Sequence, residues 1–165
     1  MTFYALAPLV ANERQRLAVL RNSGAADKRP ESVAELVQLS AGLFDARMGI
    51  ATVVTARKMV VIAGHGHAFA DADRGVSFCS HVVAQPEAVT CVLDTAEDIR
   101  FAGNPLVRGA PHVRFYIAAP LVAPCGAALG ALCAIDTEPR TSVSDQQQQT
   151  LRALAARVTS ELLGS

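Results

Sequence analysis

The hydrophobic residues of this chain change their spacing twice, and this change restricts the fold more than any single motif does. Near both ends of the chain, apolar residues recur every three or four positions, which is the period of an amphipathic α-helix. Between these regions, short runs rich in β-branched residues alternate with turns, as is typical of strands. Helices at the ends and strands in the middle predict an α+β domain, with helices on one face of a mainly antiparallel sheet.

The helical regions have recognisable starts. The first is predicted to begin at Asn12, with Gln15 three positions later in the pattern of a capping box. The second starts near Pro30, and the last at Ser142 or Ser144. In the second helix the residues at helical spacing are Val33, Leu36, Val37, Ser40, Leu43 and Phe44. In the last helix they are Leu151, Leu154, Ala155, Val158 and Leu162.

The middle of the chain predicts a sheet of five or six strands. The strand-like runs are MGIATVVT and KMVVIAG, which form a hairpin, followed by AVTCVLD, HVRFYIAAPLV and ALGALCAID. Residues 64–88, with a short helix expected at 77–83, and residues 94–111 are the segments long enough to cover the face opposite the helices. A sheet face covered by loops is where a small-molecule pocket would form.

The composition excludes several classes of protein. Hydrophobic residues make up 51% and charged residues 18% of the chain, so it is not disordered. Basic and acidic residues balance at 15 each, which argues against a nucleic-acid or membrane partner. The sequence has neither an apolar run of about 20 residues for a membrane span nor a signal peptide. We therefore expect one cytoplasmic domain, residues 1–165.

The cysteines do not form a C-x-x-C pair. They are Cys79, Cys91, Cys125 and Cys133, of which Cys91 and Cys133 lie inside strand-like runs. A cysteine in such a run packs as a small hydrophobic residue. In a cytoplasmic chain we expect free, mostly buried thiols rather than disulfides.

A series of motifs resembles the GAF sensor domains. In chain order they are NERQRLAVL, VSFCSHVV, VLDTAEDIRFAGNPLV, VRFYIAAPLV, LGALCAIDTEPR and QQQQTLRALAARV. The resemblance covers residues 9–163 and is closest to a bacterial branch usually found with diguanylate cyclases and histidine kinases. It implies a GAF-like (PAS-like) central antiparallel sheet with helices on one side and a ligand-sized cavity under loops on the other. The spacing of apolar residues agrees with this architecture.

The resemblance also implies a binding site. Residues 98–107 would cover the sheet as a lid, residues 113–122 would be the central strand beneath it, and Arg114 would tie the two through Asp94 or Asp98, since arginine and carboxylate form a bidentate pair. The candidate ligand-binding residues are Cys79, His81, Asp94, Asp98, Arg100, Phe101, Asn104, Arg114 and Tyr116. For the charged members, a purely structural network that pins the lid is the preferred alternative.

The first hairpin departs from the pattern of this branch. Its members usually carry an aspartate and bulky aromatic residues around the hairpin turn. The stretch VVTARKMVVIAGHGH has no aromatic residue. A ligand whose binding depends on that edge is therefore not expected.

Short histidine and cysteine patterns raise the question of metal or thiol chemistry. HGH and CSH supply His65, His67, Cys79 and His81, which are ligand types for zinc or copper, but such patterns are common by chance and we predict no metal site. Free methionine sulfoxide reductases of the family carry their catalytic cysteine in the loop that corresponds to residues 104–111. This chain has no cysteine there, so we predict no catalytic residue. The motifs for bilin attachment and for cyclic-nucleotide binding are also absent.

Apolar residues on the terminal helices predict a homodimer. Family members commonly pair through these helices as a four-helix bundle. The candidate interface residues are Leu17, Leu20, Leu151, Leu154, Val158 and Leu162. The arginines of RQR and RALAAR are interpreted as solvent-exposed helix edges. Because no output domain follows the closing helix, a separate signalling protein is a candidate partner.

Three functions remain open at this point. The preferred one is a non-catalytic sensory or regulatory GAF domain, which binds an unidentified small molecule between sheet and lid and signals through helix-mediated dimerisation. The second is a thiol-based redox enzyme or sensor, which needs a reachable cysteine of lowered pKa beside a second cysteine. The third is a purely structural dimerisation module, with a pocket filled by its own side chains. The sequence identifies neither the ligand nor a cofactor.

Overall fold

A computed structural model of the chain describes residues 6–8 and 10–164. The helices are α1 (Glu13–Ser23), α2 (Glu31–Leu43), α3 (Cys79–Val83), α4 (Pro105–Arg108) and α5 (Asp145–Leu163). The strands are β1 (Met48–Val54), β2 (Lys58–His65), β3 (Ala72–Asp73), β4 (Thr90–Val92), β5 (Phe115–Val122) and β6 (Ala128–Asp136). Within these described ranges, no helix combines the length and the apolar character needed to cross a membrane.

The strands form one antiparallel sheet in the order β3-β2-β1-β6-β5-β4. The predicted α+β architecture is therefore confirmed, and the sheet has six strands. One detail of the prediction is wrong: the strand within residues 113–122 is not central. This strand, β5, begins at Phe115 and is next to the edge strand β4, whereas β1 and β6 are the two central strands. The cause is the long-range pairing of β1 with β6, which the spacing within one strand does not reveal.

Both faces of the sheet are covered. Along β5, Phe115 and Ile117 point to one face and Tyr116 and Ala118 to the other, as the period of a strand requires. The first face packs against α2 and α5 and forms a core with Val33, Val37, Leu132, Leu151, Val158 and Leu162 among its members. The second face packs against α3 and the irregular segments, with Ile50, Phe78, Val82, Phe101, Val107 and Ile135.

The central strands approach each other closely at a glycine. A Cβ atom at Gly130 of β6 would lie 1.8 Å from the backbone oxygen of Thr52 in β1. A real Cβ atom cannot come so near, so glycine is required if the two strands are to keep this spacing. The middle of the sheet therefore depends on one residue without a side chain.

The predicted helix starts are confirmed, since α1 follows Asn12, α2 follows Pro30 and α5 follows Ser144, but one predicted cap is absent. Ser144 caps α5, and its hydroxyl accepts from the backbone N–H of Gln147, whose side chain accepts from the Ser144 backbone in return. Asn12 precedes α1 but makes no side-chain capping bond, so the predicted capping box with Gln15 is wrong. Its backbone lies at φ −111° and ψ 35°, outside the extended region of an N-cap.

Most of the predicted dimer-interface residues lie inside the protein. Leu20 is 6% exposed, and Leu151, Val158 and Leu162 are 0% exposed in the core under the helices. These four residues are therefore not accessible to a second chain, because the sheet already uses their stripe. Leu17 and Leu154 are partly exposed.

The prediction of a solvent-exposed RQR stretch is wrong for its second arginine. Arg16 is fully buried, while Arg14 and Gln15 are exposed. The Arg16 guanidinium donates to Glu13 over 2.8 and 3.0 Å and to the backbone oxygen of Val54 at the end of β1. Arg16 is therefore buried because the Glu13 carboxylate and the Val54 carbonyl oxygen accept its hydrogen bonds.

Candidate functional site

A cavity of about 320 Å³ lies between the loop-side face of the sheet and residues 67–72. Its floor is formed by Ile50, Met59, Tyr116 and Ile135 from the four longest strands. Its sides are residues 76–79 and 104–106, and its roof is residues 67–72. Two larger surface depressions, of about 610 and 540 Å³, adjoin α1 and the β1–β2 turn and are lined in part by charged side chains such as Glu13 and Arg57.

The roof of the cavity is fixed at both ends. Gly66 precedes it with φ +80°, and a Cβ atom there would lie 2.0 Å from the backbone oxygen of Arg47. At the other end, Ala72 pairs with Met59 through β3. Between them, the Asp71 carboxylate accepts from the backbone N–H of Val61 at 2.8 Å. The segment between these points is therefore held near the sheet and still lies mostly at the surface.

The buried polar groups in the cavity wall, such as Asn104 and Ser77, already have partners within the protein. Asn104 donates to the backbone oxygen of Val76 at 2.8 Å and accepts from the backbone N–H of Leu106 at 2.9 Å, as the N-cap of α4. The Ser77 hydroxyl donates to the backbone oxygen of Arg74 at 3.1 Å. Among the described residues, the wall contains no lysine or arginine. The cavity thus offers a bound molecule mainly apolar and aromatic contacts.

Two thiols and a phenol meet at the inner wall. The Sγ atom of Cys79 lies 3.9 Å from that of Cys133, and the Tyr116 hydroxyl lies 3.5 Å from the first sulfur and 3.3 Å from the second. All three residues are buried. Burial raises the pKa of both Cys133 and Tyr116 well above their ordinary values. The hydrogen bond from Cys133 lowers the pKa of Cys79 to about 7, so Cys79 is the more acidic thiol.

The structure places only three of the predicted ligand-binding residues in this cavity. Cys79, Asn104 and Tyr116 line it. The expected lid, residues 98–107, contributes only its last part, because Phe101 is packed away from the cavity. The Phe101 ring lies 4.6 Å from Phe78 and 5.0 Å from His81, measured between ring centroids. The cavity is covered mainly by residues 67–72, which belong to the other segment expected over this face, 64–88, so the assignment of the lid to residues 98–107 is wrong except for residues 104–106.

The charged candidates form ion pairs outside the cavity. Arg114 binds Asp94 with two contacts of 2.9 Å, and Arg100 binds Asp98 at 3.1 and 2.8 Å. The hydrogen bonds from the arginines lower the pKa of both aspartates. Of the two aspartates predicted as ion-pair partners of Arg114, Asp94 is the one that binds it in the structure. These contacts are those of a network that pins the segment between β4 and β5.

The residues considered as metal ligands are spread apart by the fold. His65 and His67 are exposed, whereas the Cys79 sulfur faces Cys133 and the His81 ring packs against Phe101. The described part of the chain brings together no group of three or more His, Cys, Asp or Glu side chains suited to a metal ion.

Sequence reasoning missed most of the cavity wall. Met59 lies in β2, Phe69 in the segment that follows β2, and Ile135 in the distant strand β6. Their meeting depends on the strand order and on the path of residues 66–72. Sequence reasoning also missed Cys133, which lies behind this wall. It pairs with Ala118 in the register of β5 and β6, two residues from Tyr116, so that only the register shows that both side chains lie on the loop-side face.

This fold, with a cavity under loops on the face opposite the helices, agrees with a family comparison in which the GAF domain matches residues 17–162. The chain belongs to the GAF domain family. A curated relative of this GAF domain is a cyclic di-GMP phosphodiesterase of Pseudomonas aeruginosa, 29% identical over 155 residues. That match covers 93% of this chain and 26% of the relative, so the chain spans about a quarter of the relative's length.

Solved structures share the fold at low sequence identity. The GAF domain of an Acinetobacter phosphoenolpyruvate-protein phosphotransferase has a TM-score of 0.67 at 14% identity, with 93% of this chain and 94% of that chain covered. The PixJ GAF domain of Thermosynechococcus elongatus has a TM-score of 0.65 at 19% identity, with 90% and 89% covered. A domain of a methyl-accepting chemotaxis protein also has this fold. GAF domains and other domains of signalling proteins thus share the fold of this chain.

Proposed function

We propose that this GAF domain senses a small, uncharged and largely apolar molecule, without catalysing a reaction. The molecule binds in the cavity between the sheet and residues 67–72, and binding biases the association of the domain through its terminal helices. The observation that carries the proposal is the cavity of about 320 Å³ with a mostly apolar wall. A structural module whose pocket is filled by its own side chains would not have this space.

The size of the cavity restricts the ligand. Ligand pockets in proteins span about 300–1,000 Å³, so this one is at the lower end of the range. A molecule that fits is therefore small. The rings of Phe69, Phe78 and Tyr116 at the wall favour a flat or aromatic molecule, because aromatic pairs gain from stacked or edge-to-face contact.

The charge of the cavity wall also restricts the ligand. A phosphate buried there would meet the Asp71 carboxylate and, among the described residues of the wall, no basic side chain except the exposed His67. Burial of an unpaired charge is costly, so nucleotides and cyclic dinucleotides are not favoured. The name of the curated relative mentions cyclic di-GMP, but it describes the whole enzyme, of which this chain spans about a quarter. For the cavity of this domain we propose a different, neutral ligand.

A titration with the neutral fluorescent probe N-phenyl-1-naphthylamine tests the cavity. The probe is expected to bind saturably, one molecule per chain, with a rise in fluorescence as it leaves water. The variant Val76→Phe fills the side of the cavity and is expected to weaken this binding at least about tenfold, the equivalent of about 1.4 kcal/mol. Native mass spectrometry of the purified protein would show in parallel whether a small molecule is retained.

The matched control is Leu39→Phe, which adds the same ring at an exposed position of α2 on the other side of the sheet. Its probe binding should equal that of the unmodified protein. Thermal unfolding of each variant shows that it is folded. Binding that does not saturate, or that Val76→Phe leaves unchanged, would rule out the cavity as the binding site.

The output step is proposed to be a change in association. Leu17 on α1 and Leu154 on α5 remain partly exposed after the rest of the apolar stripe is buried, and a second copy would cover them. A ligand shifts such an equilibrium only if it binds one state more tightly than the other. The cavity and the helices lie on opposite faces of the same sheet, so the strands that form the floor connect them.

A further inference from the structure

The closest pair of thiols in the described structure lies between two elements that are far apart in sequence. Cys79 is the first residue of α3, and Cys133 lies in the middle of β6. Their sulfur atoms are 3.9 Å apart and are buried together on the loop-side face of the sheet. We propose that Cys79 and Cys133 are a redox pair, which a hydroperoxide converts into a disulfide that joins α3 to β6.

The geometry allows the bond with a small movement. A disulfide has an S–S distance of about 2.05 Å, so the two sulfurs must approach by about 2 Å. Cys133 is held in the central strand β6, which pairs with β1 and β5 on its two sides. Cys79 belongs to a helix of five residues between irregular segments, and this helix is the element that can shift.

The cavity gives a small oxidant access to one of the two thiols. Cys79 forms part of the cavity wall, whereas Cys133 is fully buried behind it. The oxidant therefore meets Cys79 first, and Cys133 is placed to resolve the product. The remaining thiols are separate from this pair, since Cys125 is exposed in the β5–β6 turn and Cys91 is half-buried in β4.

The surroundings of Cys79 favour this order. The Tyr116 hydroxyl lies 3.5 Å from the Cys79 sulfur and 3.3 Å from the Cys133 sulfur, within hydrogen-bonding distance of both thiols. The hydrogen bond from Cys133 also lowers the pKa of Cys79, and the thiolate is the nucleophilic form of cysteine. Tyr116 is thus a positioning residue, and Cys79 is the group that reacts with the oxidant.

The reaction balances with hydrogen peroxide as the oxidant. The Cys79 thiolate attacks one peroxide oxygen, the O–O bond breaks, and the released hydroxide takes the proton of the former thiol and leaves as water. The product is a sulfenic acid on Cys79. The Cys133 sulfur then attacks the Cys79 sulfur, the S–S bond forms, the S–O bond breaks, and the hydroxide leaves with the Cys133 proton as a second water. The two thiols lose two electrons, and the peroxide gains them.

The disulfide would connect the redox state of the protein to its cavity. Because Cys79 is a wall residue, its movement toward Cys133 changes the wall. The oxidation requires access through the cavity but no bound ligand. A failure of ligand binding and a failure of disulfide formation are therefore separate results.

The experiment uses the full chain with Cys91→Ala and Cys125→Ser, which leaves only the two thiols of the pair. The protein is treated with hydrogen peroxide, quenched, unfolded and alkylated with iodoacetamide, and its intact mass is measured. The expected product is two hydrogen masses lighter, carries no alkyl group, and yields one peptide pair linked through Cys79 and Cys133. Dithiothreitol should restore both alkylation sites.

Two further variants in the same background test the order of events and the route. With Cys133→Ala, oxidation of Cys79 is expected to be slower, because the hydrogen bond that lowers its pKa is lost, but the sulfenic acid that forms should persist and be trapped by dimedone. With Val76→Phe, oxidation is expected to slow, because the cavity is filled. Circular dichroism confirms that each variant is folded. Two alkylated thiols after peroxide treatment of the folded protein would overturn the proposal, as would disulfides found only between chains.

Discussion

At the scale of single residues, the charge of Arg16 organises one end of the domain. Its side chain is 0% exposed, and a buried charge must be paired and hydrogen-bonded to be tolerated. Glu13 supplies two oxygens and the backbone of Val54 a third. The same glutamate also binds Arg74, which lies in the segment just before α3. One carboxylate therefore joins α1, the end of β1 and the approach to the cavity.

This arrangement predicts a loss of stability in acid. Partial burial raises the pKa of Glu13, but hydrogen bonds from Arg74 and Arg16 outweigh it and lower the pKa from 4.5 to about 2. A carboxylate with a lowered folded-state pKa stabilises the protein above its unfolded pKa, and this contribution is lost as the pH falls. The free energy of unfolding, measured by urea denaturation, should therefore decrease from pH 4.5 toward pH 2.

The variant Glu13→Gln isolates this contribution. It keeps the shape of the side chain but removes the titrating group, so its stability should be lower at neutral pH and should fall less steeply in acid. The same exchange at Glu35, an exposed residue of α2, controls for the loss of a carboxylate. An unchanged slope for Glu13→Gln would mean that other carboxylates carry the acid sensitivity.

At the scale of elements, the contact between β1 and β6 holds the sheet together. β3, β2 and β1 lie on one side of it, and β6, β5 and β4 on the other. The side chains on both faces of these two strands belong to the two cores, so the floor of the cavity and the platform for the helices depend on the same junction. Its closeness is set by Gly130.

Gly130→Ala is expected to destabilise the domain by about 3 kcal/mol, the upper part of the range for overpacking a core. The added methyl group would collide with the backbone oxygen of Thr52 and push the two strands apart. The control is Gly42→Ala in α2, where a Cβ atom meets nothing within 4 Å. That exchange should stabilise the helix by about 0.5–1 kcal/mol. Urea unfolding checks both, and equal effects at the two sites would contradict the argument.

A second element contrast concerns the two irregular segments over the sheet. Residues between β4 and β5 are held by the Arg114–Asp94 pair and by the buried ring of Phe101, so they act as a fixed wall. Residues 67–72 are more exposed and cover the cavity. The segment expected to be the lid is therefore the less suited of the two to move.

At the scale of the whole molecule, we predict a dimer that forms through the helical face. Its apolar contact is smaller than the sequence indicates, because only Leu17 and Leu154 of the six candidate residues remain partly exposed. Light scattering coupled to size-exclusion chromatography should give twice the mass of 17.3 kDa for the unmodified protein. Leu154→Glu introduces a charge at a partly exposed position of α5 and is expected to shift the protein to the mass of one chain. Like charges at an interface cost several kcal/mol, on the order of the energy of a weak dimer.

The control for this experiment is Ile99→Glu. Ile99 is 86% exposed and lies in the segment between β4 and β5, outside the terminal helices. It changes the surface charge and hydrophobicity as Leu154→Glu does, and it should leave the mass of the dimer unchanged. A monomer for the unmodified protein at all concentrations would rule out helix-mediated pairing as the output.

The sequence by itself determined the class of fold, the order of most of its elements and the family. These features depend on the local spacing of apolar residues. The helical period of Val33, Leu36 and Val37 and the β-branched runs of the strands indicate secondary structure without knowledge of the tertiary contacts. The motifs of the family follow this order, so the resemblance and the spacing agreed. The resemblance also predicted an ion pair of Arg114 with Asp94 or Asp98, and the structure has Asp94.

Only the tertiary structure decided which side chains are free to act. The apolar stripe of Leu151, Val158 and Leu162 could have packed in the core or in a dimer interface, and in the structure it is buried against the sheet. The sequence predicts Arg16 at the surface, but in the structure it is buried and donates a hydrogen bond to a carbonyl oxygen at the end of β1. The cavity and the pairing of Cys79 with Cys133 depend on strand order and register across more than fifty positions. Local spacing carries no information on such contacts, because they form only when distant segments are packed together.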